Sequence, residues 1–493
     1  MRNLLLFVLI ALFLTPFFLV AQSKLNFDDY FIKKTMRIDY FHAGNAKEEN
    51  ITLDQVYEQG TWAGGVMHLI DDFDNGRYYV KIYDFDTGRM IFSKGYDTYF
   101  GEYKTTSPAL KGEKRTYHES VLIPYPKKKI SFSIEKRDQK NILAPLFQRE
   151  IDPADIAVIK EPTDTRIKIL RAVINGDPQE KVDLALIGEG YRAEEEEKFG
   201  KDVERYIEAF FRWEPYRSYR QSFNIYGVLK PSLESGCDEP RQGVFKNTTL
   251  NSSFNSLNLD RYLLIEDNKS LRDVASAVPY DAIMVMVNIK RYGGGGIYNQ
   301  FCAFTSDGEW NEHVFHHEFG HSFAGLGDEY YAADIAYNDF YPKGIEPREP
   351  NITALIDPKN LKWKDLASPG IEIPTPWEKE EFDRLYLNEQ VLKKESVEKI
   401  SKLETANVSK EEIGKIKKSY QDRLDELNKR MKEILLTSPY RGKVGAFEGA
   451  GFSAKGLYRP MLNCVMLKYT NEDKNFCKVC EHSIIRAIDS YRY

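Results

Sequence analysis

The sequence predicts an all-β, sandwich-like N-terminal domain followed by a mixed α/β domain, and three observations lead there. Segments such as "MRIDY", "RYYVKIYDF" and "KKISFSIEK", all before residue 160, alternate apolar and polar residues with the period of two that buries one face of a sheet. From about residue 166, apolar runs alternate instead with helical stretches, the pattern of helices packed on a mostly parallel sheet. The chain has 493 residues, 42% hydrophobic and 29% charged, which is enough for more than one core and has the balance of a globular protein.

The chain opens on "MRNLLLFVLIALFLTPFFLVAQSK": one arginine, an apolar run, then the small residue Ala21 before polar sequence. That layout predicts a cleaved signal peptide over residues 1–21, hence an exported protein, secreted, periplasmic or at the cell surface. An uncleaved anchor is the rival, since the run is nearly long enough to span a bilayer; cleavage leaves no stable membrane insertion. The β-rich domain then covers 22–160, with Asp74-Asn75-Gly76 and Asp86-Thr87-Gly88 as turns between antiparallel strands. "IDPADIAVIKEPTDT" links it to the second domain, 166–493.

In that second domain "VDLALIGEGY", "FNIYGVL" and "DAIMVMVNI" read as strands and "AEEEEKFGKDVERYIEAFFRW" as a helix. "RYGGGG" lacks the Lys-Ser/Thr of a phosphate loop and reads as a flexible glycine turn. The strand Phe301 to Thr305 follows, and is expected to be a sheet edge on which an extended substrate can pair. Residues from about 377 to 436 are dense in Glu and Lys, with Leu424, Leu427, Met431 and Leu435 at helical spacing. They form a charged helical insertion, read as a solvated hairpin in preference to a partner-binding coiled coil.

A net charge of -6 argues against nucleic acid as a partner, because neutralising phosphates needs a basic surface. Five cysteines, Cys237, Cys302, Cys464, Cys477 and Cys480, are too few for a disulfide scaffold in a chain of this length. Cys464, Cys477, Cys480 and His482 offer donors for a structural zinc, but the Cys480-x-His482 spacing is tight, and a disulfide or plain buried thiols is the preferred reading.

Chemistry concentrates in "EHVFHHEFGHSFAGLGDEYY", which holds four of the eight histidines. Ser306 to Glu309 reads as a capping box, so a helix is expected from about Glu309 to Ala324, ended by Gly325 in the left-handed conformation. On it His317 and His321 stand four apart and project from one face, close enough to share a metal. Glu318 lies beside that metal without having to bind it, placed to act as a general base. His316 points off the ligand face, and His313 is a neighbour of the site more than a ligand.

His317-Glu318-Phe319-Gly320-His321 is the H-E-x-x-H signature of zinc peptidases, which need a third protein ligand and one open position. The continuation resembles that of metzincin peptidases, H-E-x-x-H-x-x-G-x-x-H, with the glycine and the last ligand both one residue late. Gly325 then precedes Asp328 by the usual spacing, which makes Asp328 the expected third ligand, with Glu329 as its rival. "CVMLKY" is similar to the metzincin methionine turn, with Met466 beneath the metal and Tyr469 a candidate oxyanion donor.

With "VGAFEGAGFSAKGLYRPMLNCVM", "FCKVC" and "EPNIT", the motif resembles the immunoglobulin A peptidase family of bacterial secreted zinc metallopeptidases. The resemblance runs from about 180 to 490, and the β-rich domain resembles the N-terminal module often found with that family. It implies a metzincin-like catalytic fold, Zn2+ as cofactor, and hydrolysis of a protein or peptide substrate, immunoglobulin A among the candidates. A zinc hydrolase of cell-wall peptides and a non-catalytic surface binding protein with a structural metal are the alternatives. The oligomeric state is not legible.

Overall fold

A computed structural model describes residues 25–331, 340–406, 408–467 and 475–492; the expected signal peptide and Tyr469 lie outside these described residues. Seven strands come first: β1 (Phe31–Gly44), β2 (Glu49–Thr61), β3 (Tyr78–Asp84), β4 (Met90–Tyr96), β5 (Arg115–Pro126), β6 (Ile130–Arg137) and β7 (Leu143–Ile151). They make two antiparallel sheets, ordered β2-β1-β5 and β4-β3-β6-β7. The period of two is realised as packing: Met36, Ile38 and Tyr40 of one sheet share a core with Tyr78, Val80, Ile82, Phe132 and Ile134 of the other. Two sheets face to face over such a core are a sandwich.

The main sheet of the second domain has six strands. Its members are β8 (Lys168–Val173), β9 (Val182–Glu189) and β10 (Phe223–Leu229), and, after a short ladder of β11 (Ser252–Ser253) with β12 (Leu264–Ile265), β13 (Ala282–Val287), β14 (Gly294–Ile297) and β15 (Phe301–Thr305). The order is β14-β15-β13-β9-β10-β8. The four inner strands are parallel, while β8 and β14 run antiparallel at the edges.

This order corrects two expectations. Phe301–Thr305 is not an edge: it pairs with β13 on one side and β14 on the other, and all five residues are buried. The glycine run is not a loop but the edge strand itself. Glycines carry no side chain to display a period, so the strand is invisible to a reading of alternation. They are required by close approach: a Cβ on Gly294 would stand 2.7 Å from Val314 Cγ1, and one on Gly296 would stand 2.5 Å from the Glu318 carbonyl oxygen. A helix therefore lies directly on the strand.

That helix, Asn311–Ala324, carries the histidines and packs on one face of the sheet with the helices Glu196–Phe210 and Lys478–Asp489. Their Phe199, Val203, Phe315, Phe319 and Ile484 meet Leu184, Leu186, Met284, Met286 and Phe304 of the strands. Each such buried side chain contributes about 1.5–3 kcal/mol of transfer free energy. On the opposite face Ala185, Ile187, Val285 and Ala303 pack against Leu271 and Val274 of the helix Asn268–Ala275 and against Phe100 and Tyr117 of the sandwich. The first domain thus covers part of the six-stranded sheet where another helix would otherwise lie.

The charged segment forms two consecutive helices, Lys379–Thr405 and Lys410–Thr437, packed against each other as a hairpin. Its base is not solvated: Phe382, Leu385, Met431 and Leu435 enter the main core. Leu387, Val391 and Val397 are exposed along the first helix. Among the described residues no helix is long and apolar enough to cross a membrane.

Candidate active site

The motif helix starts at Asn311, two residues later than its sequence suggests. Trp310 is left-handed at φ 61°, and the Ser306 carbonyl accepts from the Asn311 side chain at 2.8 Å, so the capping box does not form. At the other end Gly325 takes φ 60° and donates its N–H to the His321 carbonyl at 3.1 Å, turning the chain back across the helix. The turn brings Asp328 over the two histidines.

His317 Nε2 and His321 Nε2 lie 3.1 Å apart, and Asp328 Oδ1 lies 3.1 and 3.3 Å from them. These separations are close to the edge of about 3.3 Å for a tetrahedral site with zinc bonds of about 2.0–2.1 Å. The tautomers are set from behind. His317 Nδ1 donates to the Val465 carbonyl at 3.1 Å and His321 Nδ1 donates to the Leu326 carbonyl at 2.6 Å. A carbonyl only accepts, so each neutral ring turns its Nε2 lone pair inward.

Three acceptor atoms therefore converge with no donor among them, and Asp328 Oδ1 is buried without a hydrogen-bond donor among the described residues. A cation resolves that conflict, and the donor set suits a divalent transition metal. The same pull acts on a proton: although burial works against it, Asp328 raises His321 to about 9. Asp328 itself, opposed by burial, is held below the usual carboxylate range by His321 and His317.

Glu318 stays out of this trio and lines the cleft next to Gly294, within 2.9 Å of where a Cβ on that glycine would sit. Burial raises its carboxyl above the ordinary range, against the lowering effect of both histidines. His313 also lines the cleft, its ring 5.9 Å from that of His317, and burial and His317 push it down to about 3, so it is neutral. His316 is in the core, stacked on Trp213 at 4.0 Å. Met466 is fully buried beneath the helix, its Sδ 3.1 Å from where a Cβ on Gly320 would be.

Residues 171–488 match the family described as IgA Peptidase M64, and residues 26–148 match its N-terminal module, described as Peptidase M64 N-terminus. The chain belongs to the IgA peptidase M64 family. No curated protein matches the chain. Membership makes it a metallopeptidase acting on protein substrates, with an N-terminal β domain and a mixed α/β catalytic domain.

In this M64 peptidase the cleft over His317, His321 and Asp328 has a volume of about 940 Å³. Sequence reading missed three parts of its wall. Asp97 and Glu102 come from the first domain; Glu389, Lys393, Leu424 and Asn428 come from the hairpin; Tyr292, Tyr330 and Arg261 stand around the trio. Tyr330 directly follows Asp328-Glu329 and was the one within reach of inspection; the others gather only through the fold. Glu329 joins a different group from Asp328 and is fully buried. It meets Cys464, Cys477 and Cys480, whereas His482, weighed as their partner in the sequence, is exposed on the wall of a second cavity. Asn351 of "EPNIT" pins this segment, exchanging hydrogen bonds with the Gly327 backbone at 2.7 and 2.8 Å and donating to Glu329 Oε1 at 3.0 Å.

Proposed function

We propose that the chain is an exported zinc endopeptidase of metzincin-like architecture, in which His317, His321 and Asp328 hold zinc and Glu318 is the general base. The convergence of three acceptor atoms, 3.1 to 3.3 Å apart and facing one another, is the observation that carries this reading. Bound there, zinc supplies a water pKa of about 7 and polarisation of the scissile carbonyl.

The rest is done by the chain. The Val465 and Leu326 carbonyls hold both imidazoles in one tautomer and orientation. Glu318, whose carboxyl burial has raised, accepts the proton from the attacking water and delivers it to the leaving amine. A site that only needed a structural metal would have no use for that carboxyl. Tyr469, from its place after Met466, and Tyr292, on the cleft wall, are the hydroxyls offered to the carbonyl oxygen.

An extended substrate pairs on β14. Gly294 already turns its N–H and carbonyl outward, to Arg261 and Leu263, so the two-residue period turns the peptide groups of Gly296 the same way, toward the cleft. An extended, hinge-like segment suits such an edge, and immunoglobulin A is one protein that offers it. The test is to incubate the purified full chain with immunoglobulin A and with an unfolded protein, with and without chelator, and to sequence fragments by mass spectrometry. Cleavage abolished by chelator is expected; intact substrates from metal-loaded protein would overturn the reading.

A further inference from the structure

Behind the metal trio, Glu329, Cys464, Cys477 and Cys480 bring four ligand atoms within 4.8 Å of one another, all fully buried. Cys464 Sγ and Cys480 Sγ are 3.7 Å apart, far beyond the 2.03–2.05 Å of a disulfide. Glu329 Oε1 lies 3.6 Å from Cys477 Sγ and 3.1 Å from Cys480 Sγ. Tetrahedral coordination with zinc–sulfur bonds of about 2.3 Å and a zinc–oxygen bond of about 2.1 Å has edges of about 3.8 Å between sulfurs and about 3.6 Å from sulfur to oxygen. The cluster already stands close to those dimensions.

We propose that Cys464, Cys477, Cys480 and Glu329 bind a second metal ion, a structural zinc in a closed site of three sulfurs and one oxygen. Three features besides distance support it. The backbone is arranged for thiolates: Cys477 N–H donates to Cys464 Sγ at 3.2 Å and Cys480 N–H to Cys477 Sγ at 3.4 Å. Cys477 caps the helix Lys478–Asp489 and Cys480 lies in its first turn, where the helix dipole favours negative charge. Glu329 Oε2 is buried with no hydrogen-bond donor among the described residues, a cost that a cation at the cluster removes. Arg459, also fully buried and in electrostatic reach of Glu329, offsets part of the negative charge of such a site.

The second metal ties three distant segments together directly beneath the first. Glu329 is bonded in sequence to Asp328 and donates its backbone N–H to the Met466 carbonyl at 2.9 Å. Cys464 precedes Val465, whose carbonyl orients His317. Closing the site fixes the third catalytic ligand and the support of the first; it releases the thiol protons to solvent as it forms.

The test uses the full chain, stripped of metal under reducing conditions and reloaded with Co²⁺. A sulfur-to-cobalt charge-transfer band in the near ultraviolet reports thiolate coordination, which His317, His321 and Asp328 cannot give. The expected result is that band, with two metal ions per chain by elemental analysis. His317→Ala should lose one metal and all hydrolysis yet keep the band, whereas Cys480→Ser and Glu329→Ala should weaken or abolish it. The measurement on the unaltered chain stands even if a cysteine variant does not fold. Absence of the band in reloaded protein, or a disulfide among the three cysteines in the metal-bearing chain, would overturn the second site while leaving the peptidase reading intact.

Discussion

Asp328 and Glu329 are adjacent carboxylates that the fold sends to different groups, the first to two histidines and the second to three cysteines. With the proposed ligand set, Asp328→Ala leaves only two protein ligands at the histidine site. Its metal affinity should therefore fall well beyond the 10- to 100-fold typical of losing an outer partner. Glu329→Ala should keep that metal within about that range. Competition with a coloured chelator measures both, and full affinity in Asp328→Ala with loss in Glu329→Ala would reverse the roles. The spacing of His317, Glu318 and His321 was legible because i and i+4 share a helix face whatever surrounds them. The one-residue shift of Gly325 and Asp328 was legible too, since a left-handed glycine fixes where the chain returns, and the fold brings Asp328 to the two histidines. The destination of Glu329 was not legible, because it depends on cysteines brought from the far end of the domain.

At the scale of elements, the parallel core of the six-stranded sheet was readable from its apolar runs, and its glycine edge was not. Gly296→Ala places a methyl 2.5 Å from the Glu318 carbonyl and 3.1 Å from His321 Cβ, so the helix must move off the strand. A loss of about 1–3 kcal/mol is expected, as for other overpacked sites, with hydrolysis falling more than stability alone explains. Denaturant midpoints and rates together check this; an unchanged rate would show that the helix seat tolerates displacement. The central strand β9 carries a second element-scale effect. Asp183 is buried facing Asp281, with Asn224 donating to its Oδ1 at 3.0 Å. Burial, then the Asp281 charge, raises the Asp183 carboxyl, while Lys94 of the first domain acts the other way on Asp281. A folded-state value above the unfolded one means stability fully present below the ordinary carboxylate value, about 4, and lost progressively as pH rises through neutrality. Asp183→Asn keeps the Asn224 contact possible and removes the titration. Its unfolding free energy should be flatter with pH between mildly acidic and alkaline buffer than that of the unaltered chain; parallel curves would assign the effect elsewhere.

Across the whole molecule, one cleft is assembled from the sandwich, the α/β domain and the hairpin, which no local pattern in the sequence announces. The hairpin read as a solvated insertion because its surface is charged; its anchoring depends on Phe382, Leu385, Met431 and Leu435, only a few positions of a long segment. Lys393, Leu424 and Asn428 then line the same cleft as His317, His321 and Asp328. Shortening the hairpin beyond Leu387 and before Met431 should preserve the fold and widen the cleft. Cleavage of a folded protein should then change relative to that of a short unfolded peptide, and equal changes for both would remove the hairpin from substrate selection. The central claim, that Glu318 moves the proton at a metal held by its neighbours, is tested most directly by the cleavage rate of Glu318→Gln at a metal content matched to the unaltered chain. The amide cannot accept a proton, so the rate should fall by roughly 10²- to 10⁴-fold with the metal retained; an undiminished rate from the fully loaded variant would contradict the account.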